Sequence, residues 1–578
     1  MNRMIAVIAV LLAAGALFLW LAGSGGNEES GNGEPGDMPA EKTSKTQNGG
    51  GNGAPWSGPK FFRFPVETNP PTLDPVKITD VTSHSVAGKL FNTLLRYDAK
   101  MQLIPDLAEA LPEWDAGESS YTFKLRQDVV FHNGRAMTAA DVKFSMERLL
   151  DPAESKRMQI LEIVKGAKAK IEGKGAVSET PGLVAVDEHT FKFVLERPDP
   201  TFLHSLIMVN AAVIPREAVD EAARKGSTFS QQPVGTGPFA FKSWQANTRI
   251  EFVRHERYFK GRPHLEGIVF EIVTSPQMRL DRFLKGEFEV SEIPFGQYKA
   301  LEAKHPEYLS RNPTFRTNYL GIGMHHSKEG GGFKPAEPLG TNPKLRQAIN
   351  HAIDRRNICE TILEGRSTPA QSIVPPGMLA YDKSLVSWTH DPAKSKALLA
   401  EAGFPEGQGL RPLGLLYRND PDIRKVVVAL QADLAAVGIK VDLQALDWAA
   451  FLDRLDGNPP DLFYLGWVAD YNDPDNFLYW LFNTKQWGDP GNHSRYSNPE
   501  VDRLLDEAHA SMDEAKRVEL YREAERRIVA DAPWCLLEFR INCILMQPYV
   551  KGAREQLGCL DVGAGLGSVE FSRVDFGR

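Results

Sequence analysis

From Lys60 onward, short runs of alternating apolar and polar residues exchange with longer stretches whose apolar positions recur every three to four residues. The runs at 61–66 (FFRFPV), 121–126 (YTFKLR), 189–195 (HTFKFVL) and 267–273 (GIVFEIV) predict strands with one covered face. Helix starts are marked by Thr138 with Asp141, and by Asn342-Pro343, Asp391-Pro392 and Asn498-Pro499, where a capping side chain precedes a first-turn proline. Gly403 and Gly457 mark stops for helices beginning near Asp391 and Asp447. Between them, LGLLYRNDPDIRKVVVALQADLAAVGIKVDLQAL predicts a strand at 413–417, a helix at 423–437 and a strand at 438–443. That order makes the two strands parallel with the helix across one face. The pattern is mixed α/β, with no repeat of fixed period.

Before Lys60 the pattern changes. Residues 4–22, MIAVIAVLLAAGALFLWLA, are uncharged and follow Arg3. At ~1.5 Å per residue such a run approaches the ~30 Å hydrocarbon thickness, so an export signal or an uncleaved membrane anchor is expected. No cysteine stands near its end, so there is no thiol to acylate, and the expectation is not a lipoprotein. Residues 23–59 are rich in Gly, Asn, Glu, Ser and Pro and predict a flexible linker. Either fate of the apolar run puts the bulk of the chain outside the cytoplasm, in the periplasm or on the outer face of the cytoplasmic membrane.

Composition narrows the functions. A chain of 578 residues exceeds the size at which one core stops growing, so two or more domains are expected. A formal net charge of −8 offers no broad basic surface, which argues against nucleic acid as partner. Cys359, Cys535, Cys543 and Cys559 contain no CxxC pair, so neither a zinc knuckle nor a disulfide framework is expected; buried thiols, a Cys535–Cys543 bridge and a bridge to Cys559 all stay open. The sequence holds no HExxH and no phosphate loop, since PVGTGPF at 233–239 carries internal proline and no following GK[ST]. No nucleophile-base pair stands out, and whether Asp470 and Asp473 form an acid pair depends on their separation. The expectation is no enzyme and no cofactor. Adjacent His325 and His326 point to opposite faces of an extended segment and His132 sits in a turn, so no metal site is expected either.

Several motifs in order carry a family resemblance. They are LFNTLL at 90–95, LAEALPEW at 107–114, TFKLRQDVVFHNGRAMTAADVKFSMERL at 122–149, PVGTGPFAF with Trp244, and ERYFKGRP at 256–263. NPKLRQAINHAIDRRNI at 342–358, AKSKALLAEAGF at 393–404, GWVADYNDPDNFL at 466–478 and RYSNPEVDRLL at 495–505 follow. Nearly the whole chain after Lys60 resembles the extracytoplasmic solute-binding proteins of the peptide and nickel class, the family 5 oligopeptide and dipeptide binders. The resemblance implies a two-lobed periplasmic-binding-protein-like α/β fold with an additional domain in the larger lobe. One lobe would comprise 60–97, 211–315 and 547–578, the additional domain 98–210, and the second lobe 316–546. It implies a monomer that captures an oligopeptide or dipeptide by lobe closure and delivers it to ABC permease subunits driven by cytoplasmic ATPases. The alternative is a receptor for a non-peptide solute on the same scaffold, nickel or a metal chelate, an opine or a glycan, and behind it stand an envelope sensor or structural protein and an enzyme that reuse the fold.

The expected site lies where Phe463-Tyr464-Leu465-Gly466-Trp467, a buried strand, runs into the acidic loop Asp470-Tyr471-Asn472-Asp473-Pro474-Asp475. Ligands of open α/β sheets bind beyond strand ends. In the resemblance, Asp470 takes the ligand's α-ammonium group, with Ala469 and Tyr471 flanking it. Gly466, Trp467 and Val468, with the segment ending at Asn69, would pair an extended peptide backbone, and Trp467 serves a ligand pocket or the core equally well. Arg424 is the candidate partner for a ligand carboxylate, with Arg418 behind it. Asp473 and Asp475 read as turn and helix-start residues, and their spacing does not match a loop-type calcium site.

Overall fold

The computed structural model describes residues 59–173, 179–328, 331–385, 388–488, 491–559, 566 and 569–577. The expected N-terminal helix at 4–22 lies outside the described residues, as does the linker except for Pro59.

The alternating run Phe61–Val66 forms a strand parallel to Gly267–Ile272, in register from Phe61↔Gly267 to Val66↔Ile272. Arg249–Arg254 and Phe239–Gln245 complete this four-stranded sheet, antiparallel to their neighbours. Alternation puts Phe62 and Phe64 on the covered face, where Phe270 stacks on Phe64 at 5.1 Å. A second four-stranded sheet is antiparallel throughout, in the order Glu113–Asp115, Ser120–Lys124, Thr190–Val194, Leu183–Asp187. The helix Ala139–Leu149 covers it, its start fixed by the Thr138 backbone N–H donating 2.9 Å to Asp141.

The largest sheet has seven strands. Val290–Glu292, Trp534–Met546, Leu309–Ile322, Leu462–Val468, Leu413–Arg418 and Val441–Leu446 lie in that order, with Ser367–Pro369 also on Trp534–Met546. The βαβ unit is present, with Leu413 opposite Val441 in parallel register and the helix Pro421–Ala436 burying Val426, Val427, Leu430 and Leu434. Its second strand begins three residues later than 438. Gly438 takes φ 97° and its Cα side packs within van der Waals reach of Glu406–Gly407, so the chain needs Ile439 and Lys440 to reach the sheet.

Separate hydrophobic clusters gather around these sheets: one around Phe62 and Phe270, one around Phe123 and Phe193, and the largest around Tyr319, Leu430 and Trp534. A smaller one surrounds Phe283 and Tyr298. The strand Trp534–Met546 joins them: Cys535, Leu536, Leu537 and Phe539 enter the largest cluster, while Ile544 and Met546 enter the cluster around Phe62. No disulfide forms among the described residues. Cys535 is buried and its sulfur accepts from Arg355 at 3.2 Å, and burial pushes the Cys359 thiol up to about 12.

Candidate functional site: a cavity beyond a strand end

The strand Leu462–Val468 is paired on one side along its whole length, from Ile322↔Leu462 to Arg316↔Val468. On the other side it meets Leu413–Arg418 at Leu415↔Leu462 and Leu416↔Phe463, and among the described residues the edge from Tyr464 to Val468 carries no strand partner. Gly466 sits where Asn318 crosses closely: a Cβ there would stand 1.7 Å from Asn318 Oδ1. Asn318 in turn donates to the buried Glu538.

Past Val468 the chain bends into a loop held at nearly every residue. Ala469 N–H donates to Phe315 O at 2.9 Å, and Asn472 N–H donates to the Tyr97 hydroxyl at 2.9 Å. Asp473, 1% exposed, accepts from Arg517 at 2.7 Å and from Asp475 N–H at 2.9 Å. Asp475, fully buried, accepts from Tyr471 OH at 2.9 Å and Tyr521 OH at 3.0 Å, and hydrogen-bonds His509 Nδ1 at 2.7 Å. Burial alone would raise the Asp475 pKa, but His509 and the two phenols more than offset it, and the carboxyl titrates below its ordinary range. Burial likewise opposes charge on His509, and Asp475 overcomes it, raising the imidazole. Each favours the charged form of the other, so the protonated state of His509 makes an ion pair with Asp475.

Asp470 differs from both. Its backbone N–H donates to Asn476 Oδ1 at 3.1 Å and its carboxylate accepts from Asn476 Nδ2 at 3.4 Å; among the described residues it has no ion pair. Its side chain is exposed, yet lines a cavity of 460 Å³. Removal from bulk water by the surrounding protein raises its pKa, against the pull of the Asn476 bond and the charge of Arg157.

The cavity is walled by Ile78–Val81 with His84 and Ser85, by Gly88, Lys89 and Phe91–Thr93, by Arg96, Tyr97 and Met101, by Ile207–Asn210 and by Val468–Asp470, with Asp106, Arg157, Tyr258, Lys260 and Val569–Phe571. Most of its charges cancel internally. Glu570 pairs with Arg96 at 3.1 Å and Lys260 at 3.2 Å, and Lys260 also bridges to Asp106. Tyr258 OH donates to Glu570 at 3.2 Å and Asn92 to Asp106 at 2.9 Å. Lys89 donates 2.7 Å to Leu566 O and stands over the Phe571 ring. Asp80 accepts from Ser83 N–H at 2.8 Å, capping the helix Val81–Ala87.

Of the residues expected at the site, Val468, Ala469 and Asp470 line the cavity. Gly466 and Trp467 stand on the strand leading to it, the Trp467 indole N–H donating to Asn476 Oδ1 at 2.8 Å, so Trp467 and Asp470 share one anchor. Tyr471 turns to Asp475 and stacks on His204. Asn69 and Arg424 are not among the lining residues. Asn69 Oδ1 accepts from Trp244 at 3.0 Å and from Asn247 N–H at 3.1 Å, fastening the turn between two strands. Arg424 is exposed in the first turn of Pro421–Ala436, Arg418 pairs with Asp420 at 2.7 Å, and Lys425 stands 3.8 Å from the Phe295 ring centre. Asp470 and Asp473 do not make an acid pair, because Asp473 is consumed by Arg517. His325 and His326 bond to the carbonyls of Arg495 and Pro459. His132 accepts from Gly235 N–H at 3.1 Å and bonds Gly237 O at 3.1 Å; burial pushes it down to about 3, so it ties two turns together as neutral imidazole. Among the described residues no group of His, Cys, Asp and Glu is arranged to hold a metal.

The model of the bacterial extracellular solute-binding proteins, family 5 Middle, matches residues 102–489. The chain belongs to this family. It is 30% identical over 537 residues to the probable di/tripeptide-binding protein 5 of Pseudomonas aeruginosa (strain UCBPP-PA14), covering 88% of this chain and 94% of that one. Heme-binding protein A of Haemophilus influenzae is 29% identical over 508 residues, covering 85% and 89%. Among solved structures, the periplasmic murein tripeptide-binding protein MppA in its unliganded open form superposes with a TM-score of 0.75 at 23% identity, covering 91% of this chain and 99% of that one. The fold is accordingly the two-lobed α/β fold of periplasmic binding proteins. Of the cavity lining, sequence reasoning named Val468, Ala469 and Asp470, the last through the family resemblance, and did not name Arg157 or the segment from Ile78 to Val81.

Proposed function

We propose that the protein is the substrate-binding component of an ABC importer and captures a short peptide between its lobes, with Asp470 holding the α-ammonium group. The observation that carries this reading is Asp470 itself, a carboxylate without an ion pair, fixed by Asn476 on the wall of a cavity whose other acids are paired or capping. An ammonium group leaving water requires such a fixed anion. The unpaired strand edge from Tyr464 to Val468 supports backbone pairing of an extended ligand, which serves many sequences alike. Relatives named for di- and tripeptides support the ligand class.

In this reading the lobes are 60–97 with 211–315 and 547–578, and 316–546, with 98–210 as the additional domain; the separate hydrophobic clusters support the division. The ligand stabilises the closed form, and permease subunits with cytoplasmic ATPases recognise it. The protein acts as a monomer without enzymatic turnover, on the outer side of the cytoplasmic membrane, secreted or tethered.

Calorimetry with a free and an N-acetylated tripeptide tests the assignment. The free peptide binds and the acetylated one does not, and Asp470→Asn weakens the free peptide by about 2–3 kcal/mol, ~30- to 150-fold in Kd. Because Asp470 must be ionised and its pKa is raised, affinity falls on acidification at a higher pH than an ordinary aspartate would dictate. Equal affinity for both peptides ends the assignment.

A further inference from the structure

We propose that Arg157 is a second ionic contact in the cavity and selects ligands that carry a carboxylate close beside their ammonium group. The inference rests on the Asp470 reading given above and deepens it. Arg157 and Asp470 line the same cavity, and the charge of Arg157 acts on the Asp470 carboxyl. They are not bonded to each other: the Arg157 Nε is buried without a hydrogen-bond partner, and no ion pair engages its guanidinium among the described residues. Every other strong cation of the cavity is occupied, Arg96 and Lys260 by Asp106 and Glu570, and Lys89 by Leu566 O.

The placement of Arg157 is also fixed. Its backbone N–H donates to the buried Ser155 hydroxyl at 3.1 Å, its carbonyl accepts from Ile160 at 3.1 Å, and Lys156 N–H next to it donates to Val76 O at 2.9 Å. Arg157 is half-buried, with its Nε buried and unpartnered, and the planar donor fork of a guanidinium matches a carboxylate. Because Arg157 and Asp470 line one cavity and the charge of one acts on the other, a single ligand residue that bears both charges is the arrangement inferred to answer both. Two arrangements do so: a first residue with an acidic side chain, and a γ-linked glutamyl residue whose α-carbon carries both charges.

The test is calorimetry of the full chain with Ala-Ala, Asp-Ala, γ-Glu-Ala and N-acetyl-Ala-Ala, comparing the parent with Arg157→Gln. The parent binds one or both acid-headed peptides about 10- to 100-fold more tightly than Ala-Ala, as a charge-assisted pair requires. Arg157→Gln abolishes that preference and leaves Ala-Ala within about twofold, which also shows that the variant is folded. Asp-Ala against γ-Glu-Ala tells which arrangement is read. No preference in the parent, or a preference that survives Arg157→Gln, overturns the inference while the Asp470 reading stands. Equal binding of Ala-Ala and its acetylated form sinks the Asp470 reading instead, and absence of binding by all four peptides counts against both.

Discussion

Arg517→Met asks whether the loop that carries Asp470 is held in place by a buried charge pair. The Arg517 and Asp473 side chains are 5% and 2% exposed, their charged atoms lie 2.7 Å apart, and Arg517 Nε also donates to Ala508 O at 3.2 Å. Burial opposes the charge on Arg517, and Asp473 reverses that effect, so the guanidinium pKa lies above its ordinary value. Methionine fills much of the volume but leaves the Asp473 carboxylate buried with the Asp475 N–H as its remaining donor. Removing one member of such a pair costs about 3–5 kcal/mol, against 0–1 kcal/mol for an exposed pair. Urea unfolding of the parent, the single variant and the double variant Arg517→Met with Asp473→Asn measures this. The double variant regains at least half of the loss, because an amide needs no counter-ion. The single variant also binds peptide about tenfold more weakly, since Asp470 is three residues from the freed anchor. A loss below about 1 kcal/mol, or a double variant no better than the single, refutes the account of the loop.

Two further expectations concern pH. Glu525 is buried and accepts from Ile373 N–H at 2.6 Å and Val374 N–H at 3.0 Å, but its second oxygen is unpartnered, and burial raises its pKa from 4.5 to about 7. Its contribution to stability is full below the unfolded value and is lost as pH rises towards 7, to a total of about 3 kcal/mol; Glu525→Gln flattens that slope in unfolding experiments run from pH 4.5 to 8. His509 is raised by Asp475, so its contribution is present below the ordinary histidine range and fades as pH rises through the raised value. His509→Gln removes this fading from thermal melts across neutral pH, and an unchanged pH profile would contradict the pairing.

What the sequence made legible is what local chemistry decides. Asn342, Asp391 and Asn498 each accept from a first-turn N–H of a helix that opens with proline, as their spacing predicts. The βαβ unit and the alternating strands follow from periodicity alone. The order of the large sheet was not legible, because Leu309–Ile322 pairs with Trp534–Met546 across more than 200 residues of sequence and no local pattern encodes that partner. At the cavity, the acidic loop after a buried strand was legible and the family resemblance picked Asp470 from it, whereas Arg157 lies in DPAESKRMQ, an irregular polar stretch that gives a cation no reason to be read as more than surface. Asn69 and Arg424 lie outside the lining of this cavity, and the partners of Asn69, Trp244 and Asn247, come from a remote segment that no local pattern announces.

The three acids of the loop Asp470–Asp475 divide one task. Asp473 and Asp475 give up their charges to Arg517 and His509, and through those pairs the loop is tied to the helices Pro499–Ala510 and Glu514–Asp531. Asp470, three residues before Asp473, is held by Asn476 and takes no part in these pairs. The floor of the cavity shows the same economy, with Arg96 and Lys260 matched to Asp106 and Glu570. A cavity whose background charges are closed off can discriminate with the few it leaves open, since each open charge stays costly until a ligand answers it. If the proposed role of Asp470 holds, selectivity follows from the ionic groups that the fold leaves unpaired among the described residues, with Asp470 as the first contact for a cationic group.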